Sequence, residues 1–328
     1  MAVLVTGGAG YIGSHMVLRL ADAGEDVFVL DNLSTGFDWA VDSRAKLIEG
    51  NAGDIPFVTD LLKKHKIAEI VHFAGSIVVP ESVVNPLKYY ANNTATSRNL
   101  LEAAVGAGVK HFVFSSTAAV YGMVGLDPVL EDVMLNPLSP YGRSKLMTEM
   151  MLADVAAAHE ITYGVLRYFN VAGADPKGRT GQSTPEATHL IKVAAQTALG
   201  QRDHINVFGT DYETPDGTCL RDYIHVTDLV EAHALLLEHL RAGNENTTLN
   251  CGYGRGYSVR EVIDTVKDVS GVEFEVRETG RRAGDPAAIV AGADKIRALL
   301  QWQPAHDDLH DIVQSAYAWE RHLMTRNR

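Results

Sequence analysis

The chain has 328 residues, of which 46% are apolar and 21% charged, with a formal net charge of −12. This composition suits a soluble globular protein with a sizeable core, and the acidic balance argues against nucleic acid, which is held through cationic contacts to phosphate. No apolar run is long enough to span a bilayer, so no membrane association is expected. A first strand starting at residue 3 leaves no room for a signal peptide, and two cysteines at no metal-type spacing fit a reducing cytoplasm with no metal site.

Apolar strand candidates lie at 3–6, 27–30, 46–49, 69–73, 111–115 and 161–168, and helix candidates at 12–23, 56–65, 86–106 and 140–159. Asn85-Pro86 is a start signal for the third helix. Alternation of this kind predicts an α/β fold, a Rossmann-like doubly wound parallel sheet. It turns the carboxyl ends of the first, fourth, fifth and sixth strands toward one crevice. After about residue 170 the pattern becomes a smaller mixed α+β portion. It has a loop over 173–188, helices near 187–199, 227–241 and 258–270, short strands within 203–218, and a strand near 272–277. We therefore expect a dinucleotide-binding domain over 1–170 and a substrate-binding portion over 171–328. Segments near 220–252 rejoin the first through the strand-like Leu249-Asn250-Cys251-Gly252.

The first strand runs into Gly7-Gly8-Ala9-Gly10-Tyr11-Ile12-Gly13, and Ile12, Met16, Val17 and Leu20 follow at helical spacing. A strand, a tight glycine turn and a helix amino end form an anion site, because free N–H groups and the helix dipole converge there. The spacing is G-x-x-G-x-x-G rather than G-x-G-x-x-G, and alone it also reads as a plain tight turn. The second strand ends in Asp31, where a first βαβ unit places its ribose-binding acid. An acid there accepts from ribose hydroxyls and repels a 2′-phosphate, which favours NAD over NADP. Asp31 also reads as the start of an Asp31-Asn32-Leu33-Ser34 turn.

Tyr141 and Lys145 sit at i and i+4, behind Ser139-Pro140, which reads as an N-cap followed by Pro at the first helical position. Leu146, Met150 and Ala153 supply an apolar stripe, so the segment is helical. A free tyrosine has a pKa of about 10 and is a poor base at neutral pH. A neighbouring ammonium and a bound nicotinamide ring both lower it, which suits a proton-transfer group. Thr117 follows the fifth strand at its carboxyl end, where such sheets hold ligands, and its hydroxyl can bridge tyrosine and substrate. Without that setting, Tyr-x-x-x-Lys reads as a solvated helix face.

With these residues in hand, the chain resembles the extended short-chain dehydrogenase/reductase family, and within it the group of UDP-sugar 4-epimerases. The resemblance runs almost end to end. It rests on Thr6 to His15, Asp31 to Ser34, His72-Phe73-Ala74-Gly75, Phe114 to Gly122, Ser139-Pro140-Tyr141-Gly142, Arg167-Tyr168-Phe169-Asn170 and Arg221 to Val226. It implies Tyr141 as acid/base, Lys145 as its partner and ribose anchor, and Thr117 as the hydroxyl that aligns the substrate. It implies NAD held by Gly7, Gly10, Tyr11, Ile12, Gly13, Asp31, Asn32, Asn51, Phe73, Ala74, Gly75, Asn92, Ser115 and Tyr168. A UDP-sugar would be met by Asn170, His189, Leu190, Phe208, Arg221, Arg282 and Asp285. Taken singly, Phe73 and Tyr168 also read as core aromatics, Asn92 as a solvated helix residue, and both arginines as surface charges. An acidic protein that binds a diphosphate nevertheless needs guanidinium groups somewhere. The chain departs from the family pattern at Ile77, where many relatives carry a cation. It departs again at Asn51, where an acid is frequent, and at His189, where Asn is frequent. Ile289 falls where side-chain size is thought to gate N-acetylated sugars. Relatives are often homodimers through the helices at 86–106 and 140–159.

The Tyr/Lys/Thr set oxidises a carbinol or reduces a ketone and leaves the net reaction open. Related dehydratases carry Asp-Glu after the threonine; here Ala118-Ala119 follow, and neither moves a proton. No cation cluster for a sugar carboxylate stands out. Epimerisation at C4 asks for the least: oxidation, rotation of the 4-keto sugar while UDP stays held, and re-reduction. A UDP-pentose 4-epimerase or another UDP-sugar oxidoreductase is the second reading. A non-catalytic NAD-binding protein is the third, although such a protein has no need of the tyrosine and lysine.

Overall fold

The computed structural model describes residues 2–184, 187–282 and 284–326. The amino-terminal elements are β1 (Ala2–Thr6), α1 (Tyr11–Asp22), β2 (Asp26–Asp31), β3 (Lys46–Glu49), α2 (Ile55–Lys64), β4 (Ile67–His72), α3 (Val79–Val84), α4 (Pro86–Tyr89), α5 (Thr96–Ala107), β5 (His111–Ser115), α6 (Pro140–Ala158) and β6 (Thr162–Tyr168). Next come β7 (Asn170–Ala172), α7 (Leu190–Ala198), β8 (His204–Phe208), β9 (Leu220–His225), α8 (Val226–Arg241) and β10 (Thr247–Cys251). The chain continues through β11 (Gly256–Ser258), α9 (Val259–Ser270), β12 (Glu275–Thr279), β13 (Ala288–Ile289), α10 (Asp294–Leu300) and α11 (Leu309–Arg326).

Seven strands form one sheet in the order β10-β6-β5-β4-β1-β2-β3, so the expected doubly wound sheet is present and the segment around Leu249 does join it. The chain winds outward from β1 to β3, then returns to β4 on the other side of β1. This reversal is the switch point at which open α/β sheets bind ligands. β1 is parallel to both neighbours, with Leu4 opposite Phe28 in β2 and Ile70 in β4. Val3, Leu4 and Val5 are fully buried, as expected of a strand covered on both faces. Leu4, Phe28, Leu30, Leu62, Ile70, Leu100, Phe112 and Phe114 belong to one core cluster. Each contributes roughly 1.5–3 kcal/mol by leaving water.

Two compact units emerge. The first comprises residues up to 122, 135–167 and 230–249; the second comprises 123–134, 168–229 and 250 onward. The boundaries thus differ in detail from 170 and 220–252. The 123–134 loop goes with the second unit for a local reason: Val129 N–H donates to the Val290 carbonyl at 2.8 Å and Gly292 N–H to the Val129 carbonyl at 2.7 Å.

The stretch 86–106 is not one regular helix. Between α4 and α5, residues Tyr90–Ala95 form a π-helical turn. The wide turn lets the consecutive Asn92 and Asn93 both reach Ser76, and the Thr96 hydroxyl caps the Ala91 carbonyl at 3.2 Å. Asn85 stands at the N-cap of α4 without a side-chain cap bond, and Pro86 opens the helix as expected. α7 begins at Leu190 rather than 187, because His189 is extended. β12 begins at Glu275 rather than 272.

In the second unit, β9 pairs with β7, β11 and β13. Its Asp222 is fully buried and accepts from the N–H groups of Tyr253 (3.0 Å), Gly254 (2.9 Å) and Ala291 (3.2 Å). Burial raises its pKa to about 6 against the pull of those three donors.

Candidate functional site

In the first unit the glycine turn is built by close backbone approach. Gly7 has φ +70, and a Cβ there would lie 2.6 Å from the Ala74 nitrogen. The turns after β1 and β4 therefore touch, and a side chain would part them. A Cβ on Gly13 would lie 2.1 Å from the Gly7 carbonyl oxygen, so α1 packs directly onto the turn. Gly10 is the N-cap of α1 and offers no side-chain oxygen, and Tyr11, Ile12, Gly13 and Ser14 bring no carboxylate to the first turn. The amino end of a twelve-residue helix thus meets the loop with its dipole unneutralised by a capping side chain.

Asp31 lies at the end of β2. Its Oδ2 accepts from Ala9 N–H at 3.0 Å and its Oδ1 from Leu33 N–H at 2.9 Å. The carboxylate therefore both ties the glycine turn to β2 and starts the 31–34 turn, in which Leu33 takes φ 56. Remaining lone pairs can still accept from ribose hydroxyls. Asn32 Oδ1 accepts from Ser34 N–H, and Asn51 Oδ1 from Gly53 N–H at 2.8 Å, so both asparagines shape their loops. Ile77 is half-exposed.

Beyond β4, Phe73 packs against His233 with ring centroids 4.9 Å apart. Gly75 approaches Lys145, whose Nζ would lie 3.8 Å from an added Cβ. Asn92 Nδ2 donates to Ser76 Oγ at 2.9 Å. Sequence reasoning missed Asn93, which is buried: it accepts from Ser76 N–H at 2.7 Å and donates to Ser144 Oγ at 2.9 Å, joining the β4 loop to α6. Its signal in the sequence is the adjacent pair Asn92-Asn93.

Ser139 caps α6 by accepting from Gly142 N–H at 3.1 Å, with Pro140 in the first position, and this start places Tyr141 and Lys145 on one face. Both are buried. Lys145 Nζ donates to the Ser115 carbonyl at 2.9 Å and lies 4.9 Å over the Phe114 ring. Burial lowers its pKa to about 8, and the nearby Glu149 carboxylate opposes that shift. Thr117 Oγ1 accepts from Ala119 N–H at 3.1 Å, which leaves its own proton to donate. Tyr89 meets the Tyr141 ring edge-on at 6.4 Å between centroids. Behind them His72 is held by Thr6 Oγ1 at 2.6 Å and Ser97 Oγ at 2.8 Å; burial and the Lys145 charge push its pKa down to about 3, so it stays neutral.

The remaining site candidates lie in the second unit. Asn170, His189 and Leu190 line one pocket together with Gln182, Lys192 and Glu320. His189 Nδ1 bonds Gln182 Nε2 at 2.9 Å; burial and the Lys192 ammonium hold the imidazole below its usual pKa. Asn170 stands opposite Tyr223, two residues beyond Arg221 in β9. Arg221 pairs with Asp285 and donates to the Pro286 carbonyl at 2.9 Å. The Arg282 guanidinium lies 3.7 Å over the Phe208 ring. The flanking Arg281, over Tyr212 at 4.1 Å, carried no sequence signal beyond its proximity to Arg282. Tyr168 also belongs to this unit, at the end of β6.

Residues 3–252 match the model of the NAD dependent epimerase/dehydratase family. The chain belongs to this family. It is 57% identical over 321 residues to a UDP-glucose 4-epimerase of Azospirillum brasilense, covering 98% of this chain and 92% of that protein. Among solved structures, UDP-glucose 4-epimerase from Brucella ovis in complex with NAD superposes with TM-score 0.94 at 43% identity over 97% of both chains. UDP-glucose 4-epimerase from Bifidobacterium longum in complex with NAD+ and UDP superposes with TM-score 0.92 at 35% identity over 98% of both chains. The uncapped amino end of α1, the glycine floor and the Asp31 carboxylate fit a dinucleotide of the kind named for this family.

Proposed function

We propose that this chain interconverts UDP-glucose and UDP-galactose by oxidising the sugar at C4, letting the 4-keto sugar turn, and reducing it on its other face. NAD is the resident cofactor. One observation carries the reading: Tyr141 and Lys145 share a buried face of α6, with Nζ anchored 2.9 Å from the carbonyl at the end of β5. Bound NAD supplies the hydride acceptor and donor. Tyr141 Oη takes the proton of the C4 hydroxyl and returns it after the sugar has turned. Lys145 stabilises the phenolate and reaches the nicotinamide ribose, and Thr117 donates to the sugar oxygen and aligns it. Gly7, Gly10, Tyr11, Ile12 and Gly13 hold the diphosphate of NAD, and Asp31 and Asn32 its adenosine ribose. Asn51, Phe73, Ala74, Gly75, Asn92, Ser115 and Tyr168 are assigned to the same cofactor. Asn170, His189, Leu190, Phe208, Arg221, Arg282 and Asp285 are assigned to UDP. A firm grip on UDP with few sugar contacts lets the keto sugar rotate at little energetic cost. The test is proton NMR of UDP-glucose with purified protein and no added reductant. UDP-galactose must appear; turnover of UDP-pentoses alone, or accumulation of NADH, contradicts the reading.

We also assign the chain to the cytoplasm, where its two free, buried cysteines stay reduced, and to a homodimer. Leu87 is 77% and Met150 60% exposed, and the same helical stretches line a surface hollow through Tyr90, Thr94, Ala95, Arg98, Met147 and Met151. Apolar surface of this kind marks an interface. Sedimentation of the wild type gives a dimer mass on this assignment, and Leu87→Glu with Met150→Glu gives a monomer. A monomeric wild type at micromolar concentration rules it out.

A further inference from the structure

α6 carries a buried carboxylate on the same face, one turn beyond Lys145. Glu149 is 8% exposed. It accepts from the Ser116 hydroxyl and takes a bidentate approach from Arg167, with Nη2 to Oε2 at 2.6 Å and Nε to Oε1 at 3.2 Å. Arg167, on β6, is itself buried, donates to the Tyr121 hydroxyl at 3.1 Å and lies 5.1 Å over that ring. The site as assigned gives none of these groups a task. Yet Ser116 stands between Ser115, whose carbonyl receives Lys145, and Thr117, the proposed substrate hydroxyl. Ser116 N–H also donates to the Leu166 carbonyl at 2.8 Å, so this turn is held from the main chain on one side and from Glu149 on the other.

A buried ion pair is costly to desolvate, and an apolar pair of similar volume often packs as well. Its presence beneath the reacting groups asks for a role other than stability. On this reading of the site, we propose that Glu149 is a positioning residue of the proton relay. Through Ser116 and Arg167 it fixes the strand end that carries Ser115 and Thr117, and from one helical turn away it supplies the counter-charge to the Lys145 ammonium. The Glu149 charge is what opposes the fall of the Lys145 pKa on burial. Facing it from the other elements are neutral His72 on β4, the Phe114 ring and Ser115 carbonyl on β5, Gly75 on the β4 loop, and Tyr141 on α6 itself. Arg167 on β6 is neutralised by Glu149. Without Glu149, the buried cations Lys145 and Arg167 lose the carboxylate that both of them face.

Glu149→Gln keeps the shape and an acceptor for Ser116 but removes the charge. Expected is a fall in kcat of about ten- to a hundredfold with KM within about twofold. The alkaline limb of the kcat–pH profile moves down by about one unit, because an ammonium without its counter-charge loses its proton at lower pH. A readout without turnover follows the same proton. Lys145 titrates at about 8 in the folded chain, against about 10.4 unfolded. Its contribution to stability is therefore fully present above the unfolded value and lost as pH falls through the folded one. In Glu149→Gln the corresponding rise of Tm with pH begins at lower pH.

Ser116→Ala separates the two halves of the role and stays decisive if Glu149→Gln does not fold. It removes only the hydroxyl link, so kcat falls while the alkaline limb stays in place. The proposal is overturned by wild-type kcat in Ser116→Ala. It is also overturned by a folded Glu149→Gln protein with an unmoved limb, or by one whose loss lies wholly in KM.

Discussion

Tyr141→Phe loses about 10²–10⁴-fold in kcat, the range that positioned acid/base catalysis supplies. KM for UDP-glucose stays close to wild type, because the UDP contacts assigned to Asn170, Arg221 and Arg282 lie elsewhere in the chain. The substitution removes one oxygen from a buried ring that stays packed edge-on against Tyr89. Tm should therefore move by no more than a few degrees, as small side-chain changes without a cavity do. The loss must appear equally in both directions of the reaction, since the same oxygen takes the proton from one carbinol and returns it to the other. Steady-state assays from UDP-glucose and from UDP-galactose check this. Activity near wild type removes Tyr141 from the mechanism. A matching loss in Lys145→Met, with the phenol intact, shows the ammonium to be needed as well.

Gly13→Ala weakens the hold on resident NAD. The added methyl would stand 2.1 Å from the Gly7 carbonyl oxygen and 2.8 Å from the Gly8 Cα, and both contacts are backbone. Nothing there can rotate aside, so α1 and the turn must separate. Overpacking of this kind costs about 1–3 kcal/mol, and here it is taken from the surface that meets the diphosphate. About 1.4 kcal/mol is tenfold in affinity, so the Kd for NAD, measured on protein stripped of it, should rise by about tenfold or more. Gly106→Ala is the control: it lies in α5, and nothing stands within 4 Å of its added Cβ. A wild-type Kd for NAD in Gly13→Ala contradicts the assignment of this turn.

What was legible in the chain follows contact range. The glycine turn, the Ser139-Pro140 helix start and the Tyr141/Lys145 spacing are local, and each appears in the structure where the residue pattern put it. The sheet was legible because alternating strand and helix patterns admit few windings. The π-helical turn was not: 86–106 keeps apolar residues at helical spacing, and the wide turn is set by bonds from Asn92 and Asn93 to Ser76, well before them in the chain. The short helix α3 passed unnoticed although Pro80 marks its first turn. The helices α10 and α11 lay beyond the last element inferred. The role of Asp31 was half legible: its turn was visible, but its bond to Ala9 N–H depends on β1 and β2 pairing in register. Least legible were the partners of Lys145 and Glu149. The lysine finds the Ser115 carbonyl and the glutamate finds Arg167, contacts that arise only when α6 lies across β5 and β6. Spacing along one helix cannot reveal them.

The most direct measurement uses UDP-glucose carrying deuterium at C4 of the sugar. Oxidation and re-reduction within one site return the same hydrogen to the same carbon, so the UDP-galactose formed in ordinary water keeps its deuterium at C4. Replacement of that label by solvent hydrogen would show that the carbon is deprotonated rather than oxidised, and would contradict the account.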